Sequence, residues 1–267
     1  MTFIMKAGNA RINIDDGGEG GLPVVFVHSL GGNAQQWSMQ IKHLREKRRA
    51  VAFDLPGHGL SDPPSNGDYL AETLAEDIDI VARSLNLDQF VLVGHSLGAS
   101  ISIAYAGENP HRVKGLLLVD PSGDGRALPR EIIDPFLAAL QSTDYSHTIG
   151  DYWRTLLVGS GQRVTERVMK DLYATPSDVV AAAFRDGLLF DPVTMLQRYS
   201  GPKLSVISHL NDAPFSLHNL VSDLPFIKIS GTGHWLQMDR PEEFNRIMDQ
   251  FLSPLDKREK SFGGRDR

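Results

Sequence analysis

Cysteine is absent from this chain of 267 residues. Its absence excludes disulfide bonds, thiolate metal ligands and a cysteine nucleophile together. Long apolar runs are absent as well, since no stretch approaches the roughly 20 residues that span a bilayer. The first segment, Met1 to Asn13, also lacks the apolar stretch of a signal peptide. We therefore expect a cytoplasmic protein without a membrane partner.

The chain also lacks a large excess of charge of either sign. The formal net charge is −6, spread along the chain, and no basic stripe of the kind that binds nucleic acid is visible. The glycine-rich turn over residues 15–21 lacks the Lys-Ser/Thr ending of a phosphate-binding loop. No cluster of methionine, histidine or carboxylate residues indicates a metal. We expect no nucleic-acid partner, no cofactor and no metal ion, and we leave monomer and homodimer open.

Short apolar runs alternate with helical segments over the first part of the chain. Continuous runs, typical of strands covered on both faces, occupy residues 22–27, 50–53, 90–93 and 115–119. Between Tyr69 and Leu87 the apolar residues recur at spacings of three and four, which predicts one apolar helix face. The alternation predicts an α/β protein with a mostly parallel, doubly wound sheet and helices on both of its faces.

The alternation stops at the strand that ends near Asp120. The segment that follows shows several helices and no core strand, before strands return at 204–207 and 226–229 and a helix at 241–252. An insertion at the carboxyl end of a strand lies at the edge where open α/β sheets bind ligands. We therefore predict a discontinuous core, a helical cap placed to cover a site, and a flexible C-terminal tail. The core comprises residues 1–121 and 193–254, the cap comprises residues 122–192, and the tail comprises residues 255–267.

A nucleophile is predicted at Ser96, within Gly94-His95-Ser96-Leu97-Gly98. The pattern follows an apolar strand and precedes a helical segment, the context in which G-x-S-x-G forms a sharp turn that exposes the serine hydroxyl. Strand and helix then approach too closely for side chains at positions 94 and 98. A serine hydroxyl is hardly ionised at neutral pH, so it needs a base.

The base is predicted at His234, in a glycine-containing turn between the last strand and the last helix. Its orienting acid should lie between Ser96 and His234 in chain order. Asp212 follows the strand at 204–207 and is the preferred candidate. Asp120, which ends the strand directly after the serine unit, is the competing one.

Two backbone N–H groups are predicted to stabilise a developing oxyanion. One belongs to Leu97, which directly follows the nucleophile. The other belongs to Leu30, in the loop His28-Ser29-Leu30-Gly31-Gly32 after an early strand. Glycines in that loop allow the backbone to turn its N–H groups inward.

Several motifs together carry a family resemblance. They are His28–Gly32, Asp54–Ser61, Gly94–Gly98, and Gly233-His234 followed by Arg240–Asn245. In this order they resemble the α/β-hydrolase fold superfamily, in its cap-bearing serine esterase-like branch. The resemblance covers about residues 22–121 and 200–253, and it implies the α/β-hydrolase fold and a cofactor-free Ser-His-Asp triad. The chain departs from the family's spacing at the acid, where Asn211 precedes Asp212.

The resemblance also narrows the chemistry. Related dehalogenases and epoxide hydrolases use aspartate at the nucleophile position, so Ser96 favours acyl transfer. The expected activity is hydrolysis of a small carboxylic ester or lactone through an acyl-enzyme. Alternatives with the same triad are a carbon–carbon bond hydrolase and a cofactor-free haloperoxidase or perhydrolase. A ligand-sensing signalling protein on the same fold is the alternative from another class.

Overall fold

The computed structural model describes residues 1–7 and 10–262. Eight strands form one sheet, in the order β1-β2-β4-β3-β5-β6-β7-β8. The strands are β1 (Thr2–Ala7), β2 (Ala10–Gly17), β3 (Val24–Val27), β4 (Ala50–Phe53), β5 (Phe90–His95), β6 (Val113–Val119), β7 (Lys203–Ile207) and β8 (Phe226–Lys228). Strands β3 to β8 pair in parallel, whereas β1 and β2 are antiparallel additions at one edge. The sheet is therefore mostly parallel, as the sequence predicted.

Helices cover both faces of this sheet. In chain order they are α1 (Ser38–Leu44), α2 (Ala71–Ser84), α3 (Leu97–Glu108), α4 (Arg130–Leu140), α5 (Tyr145–Leu156), α6 (Gln162–Ala174), α7 (Ser177–Gly187), α8 (Pro192–Gln197), α9 (Leu217–Leu220), α10 (Leu236–Asp239) and α11 (Pro241–Phe262). None of the helices within the described ranges is long and apolar enough to cross a membrane.

The two cores follow from the alternation of side chains along the central strands. On β5, Phe90 and Leu92 join the core beneath α2 and α3, while Val91 and Val93 join the core beneath α1 and α11. Every residue of β3, β4 and β5 is buried. This burial explains why their sequences are continuous apolar runs rather than alternating ones. The centre of the sheet thus forms a rigid base for the loops at its carboxyl edge.

The chain between β6 and β7 forms helices α4 to α8. Aromatic side chains hold three of these helices together, because the Tyr152 ring packs against Phe136 and Phe184 with centroid distances of 5.4 and 5.6 Å. Two polar contacts then attach the segment to the sheet edge. Gln36 donates to Asp171 at 3.0 Å, and Ser160 donates to Asp239 at 2.8 Å. The segment is fastened directly above the loops that carry the predicted site residues.

The last helix extends into the range 255–267, for which the sequence predicted a flexible tail. Helix α11 continues through Phe262, beyond the predicted end of the last helix at 252. Leu255 is buried in the core beneath this helix. Its side chain contributes to the apolar face of α11, so the helix does not stop where the charged residues begin. Residues 263–267 lie outside the described part of the chain.

Candidate active site

Ser96 occupies a strained turn between β5 and α3. Its backbone has φ +53° and ψ −115°, a conformation that costs a non-glycine residue on the order of 1–3 kcal/mol. The turn is fixed on both sides. The Ser96 N–H donates to the Val119 carbonyl at 3.0 Å, and the Ser96 carbonyl accepts from Ala99 N–H at 2.9 Å. These bonds hold the serine at the carboxyl edge of the sheet.

Gly94 and Gly98 are required by close approach of strand and helix. A Cβ atom on Gly94 would lie 2.2 Å from the Gly98 carbonyl oxygen, and a Cβ atom on Gly98 would lie 2.4 Å from the Val27 carbonyl oxygen. Both positions therefore exclude any side chain, as the sequence pattern predicted.

His234 points one ring nitrogen at a buried carboxylate. Its Nδ1 lies 2.6 Å from Oδ2 of Asp120. The backbone of His234 is also held on both sides, because its N–H donates to the Leu156 carbonyl at 2.8 Å and its carbonyl accepts from His95 Nε2 at 3.0 Å. The Asp120 carboxylate thus sets Nδ1 as the protonated nitrogen and leaves Nε2 as the basic one.

The Asp120 carboxylate is fully buried, and both of its oxygens accept hydrogen bonds from protein groups. Oδ1 accepts the N–H of Ser208 at 2.7 Å, and Oδ2 accepts both the Ser208 hydroxyl at 2.8 Å and His234 Nδ1. Ser208 directly follows β7, so the ends of two neighbouring strands meet at this carboxylate. Three hydrogen bonds therefore fix the position of this carboxylate.

The structure corrects the preference for Asp212 over Asp120. Asp212 lies beyond the end of β7, with its side chain 44% exposed. Its carboxylate pairs with Lys228 at 2.6 Å and lies 3.8 Å from His218. The hydrogen bond from Lys228 lowers the pKa of Asp212 below its usual range. Asp212 thus forms a surface ion pair, and Asp120 is the acid beside His234.

The register of the sheet explains why Asp120 occupies this place. His95 at the end of β5 pairs with Val119 at the end of β6, so Ser96 and Asp120 leave adjacent strands at the same level. Asp120 also adopts a positive φ of 43°, which turns the chain sharply after the strand. By contrast, the turn His209–Asn211 carries Asp212 away from this point.

Ser96, Asp120 and His234 line one cavity of about 280 Å³ beneath the inserted helices. Leu30 and Leu97 line it as well. The hydroxyl of Ser96 makes no hydrogen bond with the His234 ring among the described contacts. Such contacts are often long before a substrate binds and tighten in the complex. Every predicted site residue except Asp212 thus lines this one cavity.

Leu30 and Leu97, the two residues predicted to supply oxyanion donors, line this cavity. Both residues are only 7% exposed, and neither N–H donates to an acceptor within the described residues. Buried backbone donors are nearly always paired, so two that lack an acceptor within the described residues, at positions lining the same cavity as Ser96, are unusual. The loop that carries Leu30 is held in place by His28, whose Nε2 accepts Leu55 N–H at 2.9 Å.

Two buried histidines support the site without facing a substrate. Burial, and then the nearby His234 ring, lower the pKa of His95 well below its usual value. Burial likewise lowers the pKa of His28, although Asp54 opposes the effect. In each ring one nitrogen can accept a hydrogen bond while the other donates one, as in His28, where Nε2 accepts Leu55 N–H and Nδ1 donates to the Ser29 carbonyl at 2.8 Å. His95 occupies a variable position of the G-x-S-x-G pattern, and nothing in that pattern indicated its hydrogen bond to His234.

The sequence analysis also missed Ser208 and Gln36. Gln36 closely follows the loop His28–Gly32 and contacts two other segments. Its Oε1 accepts from Trp235 Nε1 at 3.3 Å, and its amide donates to Asp171 in the inserted helices. No short sequence pattern indicates a role for either residue, because each contacts residues that are distant in the sequence. Across the described ranges, no group of three histidine or carboxylate side chains is arranged to hold a metal ion.

Comparison with known proteins defines the class. The alpha/beta hydrolase fold family matches residues 23–241. The chain is 36% identical over 278 residues to 1-acylglycerol-3-phosphate O-acyltransferase ABHD5 of Homo sapiens, over 88% of this chain and 78% of that protein. This chain therefore belongs to the alpha/beta hydrolase fold family.

Two further similarities bear on activity. The chain is 28% identical over 253 residues to the dihydrolipoyllysine-residue acetyltransferase component of the acetoin cleaving system of Pseudomonas putida, over 88% of this chain. It spans only 65% of the length of that relative. Among solved structures it is similar to Est816, an N-acyl homoserine lactone degrading enzyme, with a TM-score of 0.77 and 27% identity over 93% of this chain and 100% of that one.

Proposed function

We propose that this protein is a serine hydrolase that cleaves a small carboxylic ester or lactone through an acyl-enzyme on Ser96. The observation that carries the proposal is the 2.6 Å contact between His234 Nδ1 and Asp120, in the cavity that Ser96 also lines. This contact orients the imidazole so that Nε2 is free to act as a base. The family membership and the lactone-degrading neighbour support the same reaction class.

Acylation begins with the Ser96 hydroxyl. His234 Nε2 removes its proton while Oγ attacks the carbonyl carbon of the substrate, and Asp120 stabilises the imidazolium that forms. The carbonyl oxygen becomes an oxyanion and accepts hydrogen bonds from the N–H groups of Leu30 and Leu97. Each such donor contributes about 3–4 kcal/mol to transition-state stabilisation in favourable cases. The carbonyl re-forms as the bond to the alcohol breaks, and His234 gives its proton to the leaving oxygen.

Deacylation repeats these steps with water. His234 removes a proton from the water as its oxygen attacks the acyl carbon, and the same two N–H groups hold the second oxyanion. The bond to Ser96 Oγ then breaks, Oγ recovers a proton from His234, and a carboxylic acid leaves. For a lactone substrate, the leaving alcohol stays attached to the acyl group, so the product is one hydroxy acid.

The cavity supports a small substrate. Its volume of about 280 Å³ is near the lower end of ligand-binding pockets. Most of the residues that line it are apolar, including Leu128, Leu156, Phe184 and Leu188. A short or medium acyl chain would fit inside the cavity, whereas a long chain would have to extend out of its opening.

Acyl transfer to an alcohol is the second candidate, because two relatives carry acyltransferase names. It uses the same acyl-enzyme and differs only in the acceptor of the second step. Product analysis in water with and without added alcohol separates the two. A hydrolase releases mainly free acid, whereas a transferase forms mainly the new ester at low alcohol concentration.

Labelling with diethyl 4-nitrophenyl phosphate tests the acyl-enzyme directly. We expect one equivalent of 4-nitrophenol to be released and the diethylphosphoryl group to be found on Ser96 by peptide mass spectrometry, because only an activated serine attacks the phosphorus. The same peptide contains Ser100 and Ser102, which act as internal controls. Ester hydrolysis that continues after full labelling, or a label on another residue, would overturn the proposal.

A separate expectation concerns Ser208, which we assign as a positioning residue for Asp120. Ser208→Ala removes the hydroxyl donor to Oδ2, and a hydrogen bond to a charged group contributes about 1.5–3 kcal/mol. We expect kcat for 4-nitrophenyl butyrate to fall about tenfold with little change in KM. Ser205→Ala, which removes a buried hydroxyl without a partner in the described residues, is the matched control. Equal kcat values for the two variants would contradict the assignment.

A further inference from the structure

Besides the Ser96 nucleophile and the exposed Ser122, two hydroxyl groups of residues that line the cavity have no partner within the described residues. Ser100 lies one helical turn after the nucleophile and is 7% exposed. Tyr152 lies on α5, in the inserted segment, and is half-buried. Both residues line the cavity, and neither hydroxyl forms a hydrogen bond within the described part of the chain.

Ser100 differs in this respect from its neighbour on the same helix. The Ser102 hydroxyl donates to the Gly98 carbonyl, the usual local bond for a serine within a helix. The carbonyl that Ser100 would use in that way belongs to Ser96, and it already accepts the N–H groups of Ala99 and Ser100. The Ser100 hydroxyl is thus left for the cavity.

Most of the other polar side chains that line the cavity are already engaged. Ser29 donates to Gln36 at 3.4 Å, and the Asn211 amide donates to the Pro121 carbonyl at 2.7 Å. Asp124 is held by an ion pair with Arg126. Ser122 is exposed, so water satisfies it. Apart from Ser96 and the exposed Ser122, the hydroxyls of Ser100 and Tyr152 are therefore the ones without a partner in the described residues, in a cavity whose lining is mostly apolar.

The cost of leaving these hydroxyls unpaired depends on the substrate. A purely hydrocarbon acyl chain would displace water from them and supply no partner, and burying a polar group without a hydrogen bond is unfavourable. A chain that carries a second oxygen would accept their hydrogen bonds and avoid that cost. Sites built to bind an oxygen function discriminate strongly against analogues that lack it.

We propose that Ser100 and Tyr152 select esters or lactones whose acyl part carries a second, hydrogen-bond-accepting oxygen in addition to the scissile carbonyl. The proposal rests on the serine hydrolase function proposed above and adds to it the chemical class of the substrate. Ser100 donates from the floor of the cavity beside the nucleophile, and Tyr152 donates from the inserted helices. The remainder of the acyl group lies against apolar walls.

Two pairs of isosteric 4-nitrophenyl esters test this selection. The first pair is methoxyacetate and butyrate, and the second is 4-oxopentanoate and 4-methylpentanoate. Each kcat/KM is divided by the rate of spontaneous hydrolysis, which removes differences in intrinsic reactivity. We expect the wild-type protein to favour the oxygenated member of at least one pair by about tenfold.

The variants Ser100→Ala and Tyr152→Phe should each reduce that ratio by about threefold to tenfold, the effect of one neutral hydrogen bond. Tyr145→Phe is the matched control. Tyr145 lies on the same helix as Tyr152, and its buried hydroxyl has no partner in the described residues, but it does not line the cavity. This control should leave the ratio unchanged.

The outcomes separate the two proposals. Hydrolysis of both members of each pair at equal corrected rates would overturn the selection and leave the hydrolase intact. A preference that survives in both Ser100→Ala and Tyr152→Phe would also overturn it. If no ester is cleaved and the organophosphate does not label Ser96, the proposed hydrolase function itself fails, and the selection fails with it.

Discussion

Replacing Ser96 with alanine is expected to lower kcat for 4-nitrophenyl butyrate by about 10⁴-fold or more. In the proposed mechanism the substitution removes the atom that forms the acyl-enzyme, while the N–H groups of Leu30 and Leu97, the proposed oxyanion donors, remain in place. We therefore expect a small residual rate rather than none, because oxyanion donors and binding still assist direct attack by water. Initial rates measured at saturating ester concentration check this expectation.

The control for that variant is Ser142→Ala, a substitution at an exposed serine between α4 and α5. Its activity should equal that of the wild-type protein. Thermal unfolding of Ser96→Ala should occur no lower than that of the wild-type protein, because alanine fits the same turn. A Ser96→Ala protein that is folded and retains more than about a tenth of the wild-type kcat would exclude an acyl-enzyme on Ser96, since triad serines contribute far more than that.

The part of the site that depends on local pattern was predictable from sequence. Gly94, Ser96 and Gly98 lie within five residues of one another, and the strand and helix on either side are visible as an apolar run and a helical segment. The inserted helices were recognisable for the same reason, because α4 to α7 carry apolar stripes at helical spacing. Local periodicity and steric requirements at glycine determine these features, so one sequence suffices to find them.

The acid could not be predicted in the same way. Asp120 and Asp212 both follow a strand, and both lie between Ser96 and His234 in the chain. The choice depends on how β5, β6 and β7 pair, and on the turn His209–Asn211 that carries Asp212 outward. The sequence also does not reveal the roles of the Ser208, Ser100 and Tyr152 hydroxyls, because only the packed structure shows which hydroxyls have partners. The pairing of strands and the hydrogen-bond partners of side chains depend on contacts between residues far apart in the chain, so no short segment reveals them.

Substitutions at the two aspartates separate the alternatives that sequence left open. Asp120→Asn keeps the shape of the side chain but removes its charge, and its amide would donate where the carboxylate accepted. His234 would then lose both the acceptor that orients Nδ1–H and the charge that stabilises its imidazolium. We expect kcat to fall by about 10⁴-fold, the effect of presenting the wrong tautomer to the nucleophile. Steady-state kinetics with 4-nitrophenyl butyrate measure this loss.

Asp212→Asn is the matched control, because it makes the same chemical change at the carboxylate that follows the next strand. Its partner Lys228 is itself 37% exposed, and exposed ion pairs contribute little. We expect kcat within about twofold of the wild-type value. Both variants should be compared with the wild-type protein by near-UV circular dichroism, since Asp120 is buried and its two bonds from Ser208 must re-form around an amide. A folded Asp120→Asn protein with wild-type kcat, beside an inactive Asp212→Asn protein, would return the acid to Asp212 and require a movement of the 208–216 loop that brings this carboxylate to His234.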